Sequence, residues 1–296
     1  MKKTMFIIMI LTLFSIILGF GREIVLSYFY GVSDVSDSYI ISLTIPAVLF
    51  IFIGVALKTT FMPMYSEVLK NRDEATANEF TNKIINSLIF VATLLVILVL
   101  VFTKQIVILF ASGFKAETLE LAIFLTRITA FAMYFIGILY ILERFLQLKN
   151  MFVITALVAI PLNLTLIASI VLSTKMGVLT LGLGKVIAVL FQLIFLLPFV
   201  YAKVYRYKCI IDFKDSKVRS MLYLSLPVML GTSVNQLNKL VDRILASQIA
   251  VGCISALNYA ARLNKLVQEI FVMAISTVFF ATITKMAVED DIFKVK

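Results

Sequence analysis

Apolar residues run along this chain in blocks, interrupted by short stretches that carry charge or glycine. The blocks reach the length of a membrane helix, about 20 mostly apolar residues for about 30 Å of hydrocarbon. They predict eight helices, at 5–29, 38–62, 84–103, 119–142, 151–172, 177–201, 220–249 and 254–284. The fold class that follows is all-α, a polytopic membrane helical bundle with about eight transmembrane helices.

Composition points the same way. The 296 residues are 61% apolar and only 15% charged, with a mean hydropathy of +1.05, whereas soluble domains average about 25% charged. There is no His, and the two cysteines are Cys209 and Cys253. That excludes His-based triads, His metal sites and zinc clusters. The cysteines fall at opposite ends of the seventh predicted helix, so they read as structural thiols. No pair of acids has a spacing suited to acid–base work, and an enzyme is not expected. No metal or cofactor is expected either. The net charge of +10 would suggest nucleic acid in a soluble protein, but here the partner is the bilayer and the charges need sorting by depth.

Lys2 and Lys3 ahead of an apolar run resemble the start of a signal peptide, with Gly19-Phe20-Gly21 as a small-x-small site. The run continues to Phe29 and seven further spans follow, which favours a retained first helix. Basic residues then alternate by loop. One set, at 2–3, 70–83, 144–149 and 203–219, holds thirteen, and the other, at Lys104, Lys115 and Lys175, holds three. By the positive-inside rule the first set is cytoplasmic, which puts both termini inside and the acidic turn of Asp34 and Asp37 outside.

All five prolines, Pro46, Pro63, Pro161, Pro198 and Pro227, lie in or at the ends of spans. They suit helices that rearrange, and equally reflect how common proline is in membrane helices. Arg22, Gly31 and Asp37 recur as Arg243, Gly252 and Asn258, each 221 residues on. Chance matching and two parallel repeats both account for this; with repeats, the second copy starts near Arg219 and holds two of the six helices of the first.

Eight basic residues remain inside predicted spans: Arg22, Lys58, Arg127, Lys185, Lys239, Arg243, Arg262 and Lys265. The intramembrane acids are Glu23, Asp242 and Glu269. A cation at a helix centre costs about 2.5–3.5 kcal/mol on insertion scales, so the excess implies a water-filled cavity that attracts anions. Lys58 and Lys185, near predicted ends, can snorkel instead. At about 1.5 Å per residue, Arg22 lies roughly 13 Å below the Gly31 turn, and Lys239 and Arg262 roughly 15 Å below the Gly252 turn. Asn258, Arg262, Lys265 and Glu269 form one stripe on the eighth helix, and Asn235, Asn238, Lys239 and Asp242 one on the seventh. The alternative is a self-satisfied seam, Lys239 paired to Asp242 and Lys265 to Glu269. Asp242 is also a candidate ligand for a coupling cation, though a single carboxylate is an incomplete site.

At these residues the chain resembles the MurJ (MviN) family of lipid II flippases, within the multidrug, oligosaccharidyl-lipid and polysaccharide (MOP) exporter superfamily. The matching segments are Ser15, Leu18-Gly19-Phe20 and Arg22; Gly31, Asp37 and Tyr39; Ile45-Pro46, Leu49-Phe50, Gly54, Thr60-Phe61, Pro63 and Tyr65-Ser66-Glu67; and Asn235-Gln236 through Asp242-Arg243, Leu245-Ala246-Ser247, Gly252, Ile254 to Ala260 and Arg262-Leu263. The resemblance implies alternating access that moves a polyprenyl pyrophosphate-linked glycopeptide to the outer leaflet of a bacterial cytoplasmic membrane. It also implies a substrate-binding set of Arg22, Arg262, Lys239, Asp37, Asn258 and Lys265, with Asp242 where some members place a carboxylate for a sodium ion. The driving force would be that ion or the membrane potential. Two features depart from the pattern: Ile16, and Phe50 with Ile51, stand where many members have basic residues. The expected organisation is a six-helix N-lobe at 1–202, a basic cytoplasmic linker at 203–219, and the first two helices of a C-lobe with a tail at 220–296. Family members have about fourteen helices, so the chain reads as a fragment or C-terminally truncated form, completed by an oligomer or by a missing C-terminal lobe.

Competing readings are a flippase for another polyprenyl-linked glycan and a non-transporting remnant or assembly partner. A drug–cation antiporter should carry intramembrane acids in excess, the opposite of what is seen.

Overall fold

The structure, a computed structural model, describes residues 2–203, 205–210, 212 and 215–288. Lys214, used in the loop assignment, and the tail from 289 lie outside the described residues, as do the side chains of Lys58 and Asn235. Eleven helices and no strand are present among the described residues. They are α1 (Lys2–Tyr30), α2 (Asp34–Asn71), α3 (Glu74–Val101), α4 (Thr103–Phe110), α5 (Ala116–Thr129), α6 (Ala132–Leu148), α7 (Phe152–Leu157), α8 (Ala159–Met176), α9 (Leu179–Ala202), α10 (Ser216–Ile249) and α11 (Cys253–Val288).

All eight expected runs are helical, with differences in continuity. Four stretches combine the length and apolarity of a membrane span: Thr4–Tyr30, Glu74–Val101, Phe152–Met176 and Leu179–Ala202. A fifth is the pair α5 and α6, bent by 44° where one continuous helix was expected. The protein is a multi-pass membrane bundle. The run at 151–172 is broken at Val158, three residues before Pro161, whose ring cannot follow a helical carbonyl in the preceding turn. At the break the Val158 carbonyl accepts from Gln192 Nε2 of α9, at 3.0 Å. Helix α4 was not foreseen.

Local sequence sets the helix ends. Gly31, at φ +57°, closes α1. Ser33 and Ser36 then cap α2 reciprocally, satisfying donors that a helix start leaves open. Asp73 caps α3 through the Thr76 amide at 3.0 Å, and Asp215 caps α10 through the Lys217 amide at 2.8 Å.

Two apolar clusters hold the bundle. One packs Phe50, Phe61, Tyr65, Phe80 and Phe145 between α2, α3 and α6 and extends to α9. The other joins α1 and α2 to α5, α8, α9, α10 and α11 through Leu26, Tyr39, Ile41, Leu125, Ile170, Leu181 and Ile254. Segment 205–210 lies along α3, tied by polar side chains. Asn86 Nδ2 donates to the carbonyls of Lys208 (3.1 Å) and Ile210 (3.0 Å), and Asn82 Nδ2 to that of Arg206 (3.2 Å). Tyr205 and Tyr207 hydroxyls return bonds to the same two asparagines. Burial pushes the Tyr205 phenol well above its usual range, so it stays a donor. Lys83 anchors the strap to Asp215 at 2.8 Å.

A cationic cavity between the first and last helices

Helices α1, α2, α8, α9, α10 and α11 enclose a cavity of about 480 Å³, within the size range of small-ligand sites. Six cations line it, Arg22, Lys185, Lys239, Arg243, Arg262 and Lys265, against two carboxylates, Glu23 and Asp242. A smaller cavity of about 300 Å³ adjoins it and shares Arg22, Arg262 and Lys265. Those three residues therefore stand between the two spaces.

Glu23 organises the cluster. It is 6% exposed, and its Oε1 accepts from Arg22 Nη2 at 2.5 Å and faces Arg262 Nε at 3.5 Å. Its Oε2 accepts from Asn258 Nδ2 at 3.1 Å. Asn258 Oδ1 in turn accepts from Arg243 Nη2 at 3.0 Å, while Arg243 Nη1 donates to the Ile254 carbonyl at 3.1 Å. One carboxylate thus holds two guanidinium groups from opposite ends of the chain. A guanidinium has five N–H donors, and Arg262 spends only Nε, leaving its terminal nitrogens without a protein partner among the described residues. Such forks match phosphate and carboxylate oxygens.

Of the residues singled out in the sequence, Arg22, Lys239, Asp242, Asn258, Arg262 and Lys265 meet at this cavity. The self-satisfied seam is half present. Lys265 pairs with Glu269 at 3.4 Å, but Lys239 and Asp242 make no ion pair with any described residue, and both are exposed and line the cavity. Arg127, expected inside the membrane cavity, is exposed elsewhere, its Nε donating to Thr103 Oγ1 at 3.4 Å. Lys185, expected to snorkel, lines the cavity instead.

Asp37, expected in the substrate-binding set, lies outside the lining of this cavity. It is 1% exposed and accepts from the backbone amides of Gly252 and Ser255, both at 2.7 Å. Those are the cap and third residues of α11, and because Gly252 has no side chain to cap with, α2 supplies the carboxylate. The same end of the bundle is tied at other points. Tyr259 Oη donates to the Gly31 carbonyl at 3.1 Å, and the Gly113 amide donates to Ser247 Oγ at 3.0 Å. Gly252 sits at φ +87°, and a Cβ there would come within 2.2 Å of Val32 Cγ1. Gly31 and Gly252, which stand 221 residues apart, both take positive φ at contacting turns.

The family model for the lipid II flippase MurJ matches residues 26–296. Among curated relatives, a probable lipid II flippase MurJ of Aquifex aeolicus is 31% identical over 92% of this chain and 54% of its own length. That of Buchnera aphidicola from Acyrthosiphon pisum is 29% identical over 96% of this chain and 57% of its own length. The chain thus spans a little over half the length of the curated relatives it matches. A solved lipid II flippase MurJ in an inward closed conformation superposes with a TM-score of 0.80 at 30% identity, over 97% of this chain and 59% of that one. An inward-facing multidrug transporter of the MATE family, in the MOP superfamily, shares the fold at a TM-score of 0.66 and 18% identity, over 86% of this chain and 58% of that one. The family match over most of the chain and the shared bundle lead to one conclusion: the chain belongs to the lipid II flippase MurJ family.

Proposed function

We propose that the chain takes part in moving a polyprenyl pyrophosphate-linked peptidoglycan precursor, lipid II, from the inner to the outer leaflet by alternating access. The observation that carries this is the surplus of cations on one cavity, six against two. In a low-dielectric bundle that surplus is compensated by a bound anion, and a pyrophosphate is the anionic part of such a ligand. Arg22 and Arg262 would take the phosphates, with Lys239, Lys265 and Asn258 around them, while the polyprenyl tail stays in lipid.

In this reading 1–202 acts as one lobe, 203–219 as a cytoplasmic linker and 220–296 as the start of a second lobe. The protein sits in the bacterial cytoplasmic membrane with both termini inside. The end held by Asp37, Gly252 and Tyr259 is then the outer end, closed in this conformation, and a second lobe or a further copy of the chain completes the pathway. Asp242, exposed on the cavity and without an ion pair, is the candidate for coupling to a sodium ion or to the membrane potential.

Binding of lipid II to the purified chain in nanodiscs tests the site. The wild type should bind, and Arg262→Ala should weaken binding about tenfold, the loss of one charge-assisted contact. Equal affinity for the two proteins would remove the cavity from the mechanism.

A further inference from the structure

Lys185 is one of the cavity cations, with Lys239 and Lys265, that the Glu23 network leaves out. Its helix, α9, is held very close to its neighbours: a Cβ on Gly184 would lie 2.2 Å from Ser169 Cβ of α8, and one on Gly182 would lie 3.2 Å from Ile128 Cβ of α5. Two glycines let α9 settle against both helices, and Lys185 follows directly, fixed on the cavity wall. Its ammonium has no ion pair within 4.0 Å and no hydrogen bond to any described residue.

Tyr39 of α2 lines the same cavity. It is 1% exposed, and its hydroxyl has no hydrogen-bond partner among the described residues. A buried phenol ordinarily finds a partner. Lys185 and Tyr39 thus line the same cavity as Arg22, each carrying a donor without an acceptor among the described residues, and the group that can satisfy both donors is an oxyanion.

We propose that Lys185 and Tyr39 form a second oxyanion subsite in the cavity, which takes one phosphate of a pyrophosphate while Arg22 and Arg262 hold the other. This rests on the anion-binding role of the cavity proposed above and adds a consequence: the site distinguishes a pyrophosphate from a monophosphate. A monophosphate occupies the arginine side alone and leaves Lys185 and Tyr39 unsatisfied.

The test uses the full chain in phosphatidylcholine nanodiscs, with farnesyl diphosphate and farnesyl monophosphate as probes. The wild type should favour the diphosphate by about tenfold, the worth of one further charge-assisted contact. Lys185→Gln should abolish that preference by weakening the diphosphate alone, Lys185→Arg should keep most of it, and Tyr39→Phe should reduce it by a smaller factor. A Lys185→Gln protein with wild-type melting temperature and an undiminished preference overturns the subsite, as does an equal loss for both probes. If Lys185→Gln does not fold, the isosteric Tyr39→Phe decides by the same ratio. A wild type that binds both probes equally overturns the subsite alone, whereas one that binds neither overturns the anion-binding cavity with it.

Discussion

Glu23 of α1 and Arg262 of α11 face each other with Oε1 and Nε 3.5 Å apart, and the same oxygen takes Arg22 at 2.5 Å. The contact joins residues more than two hundred positions apart and gives two neighbouring guanidinium groups a shared counter-charge. Without it the cations would repel across the cavity; with it they stay close enough to grip one ligand.

Replacing Glu23 should therefore harm stability and binding together. Glu23→Gln keeps the shape but removes the charge that three partners share. Unfolding followed by melting in detergent should show a loss of about 1–3 kcal/mol, the range for leaving buried polar groups poorly satisfied. Arg262, partly open to the cavity, should keep its own exposure.

Asp37 should behave as a structural tie. Asp37→Ala removes both acceptors from the start of α11 and should cost about 1.5–3 kcal/mol, as for hydrogen bonds to a charged group. Asp37→Asn keeps one acceptor and should cost less. Affinity for an anionic ligand in the cavity should stay unchanged, which titration of the purified variants checks. A selective loss of affinity would return Asp37 to the binding set.

The loop before α5 offers a way to loosen the same end of the bundle. A Cβ on Gly113 would lie 2.2 Å from the Ser247 carbonyl oxygen, a backbone atom that cannot swing aside. Gly113→Ala should push this loop off the α10–α11 turn. Cys253, at the start of α11, is a native reporter, so in a Cys209→Ser background its alkylation by a thiol reagent should speed up.

The strap along α3 depends on Asn86, which donates to two of its carbonyls. Asn86→Ala should free residues 205–210, seen as faster amide exchange there and faster trypsin cleavage after Lys208. The cost in global stability should be about 1–2 kcal/mol, given two or three neutral hydrogen bonds.

How far the sequence reaches is clear from particular residues. Helical periodicity brought Asn258, Arg262 and Lys265 onto one face, and charge in an apolar run marked Arg22 and Lys239, so most of the cavity wall was legible. Glu23 was visible as an intramembrane acid, but its place at the centre depends on α1 meeting α11, which no local pattern encodes. Lys185 looked like a snorkelling end residue because position along a helix says nothing of which face its neighbours cover. Gly182 and Gly184, which let α9 pack tightly there, carry no charge or period that marks them in the sequence. Asp37 looked like a ligand because its partners, Gly252 and Ser255, are backbone amides over two hundred residues away. The break before α8 falls next to Pro161 in a run that was read as one continuous helix, and the 44° bend between α5 and α6 has no proline or glycine to announce it.

The most direct test is to express this chain as the sole flippase candidate in cells depleted of their own and to measure lipid-linked precursor exposed at the outer surface, beside an Arg262→Ala control. The account predicts exposure that rises with the wild type and falls away with Arg262→Ala. Exposure that is indifferent to Arg262 in stably inserted protein would contradict it.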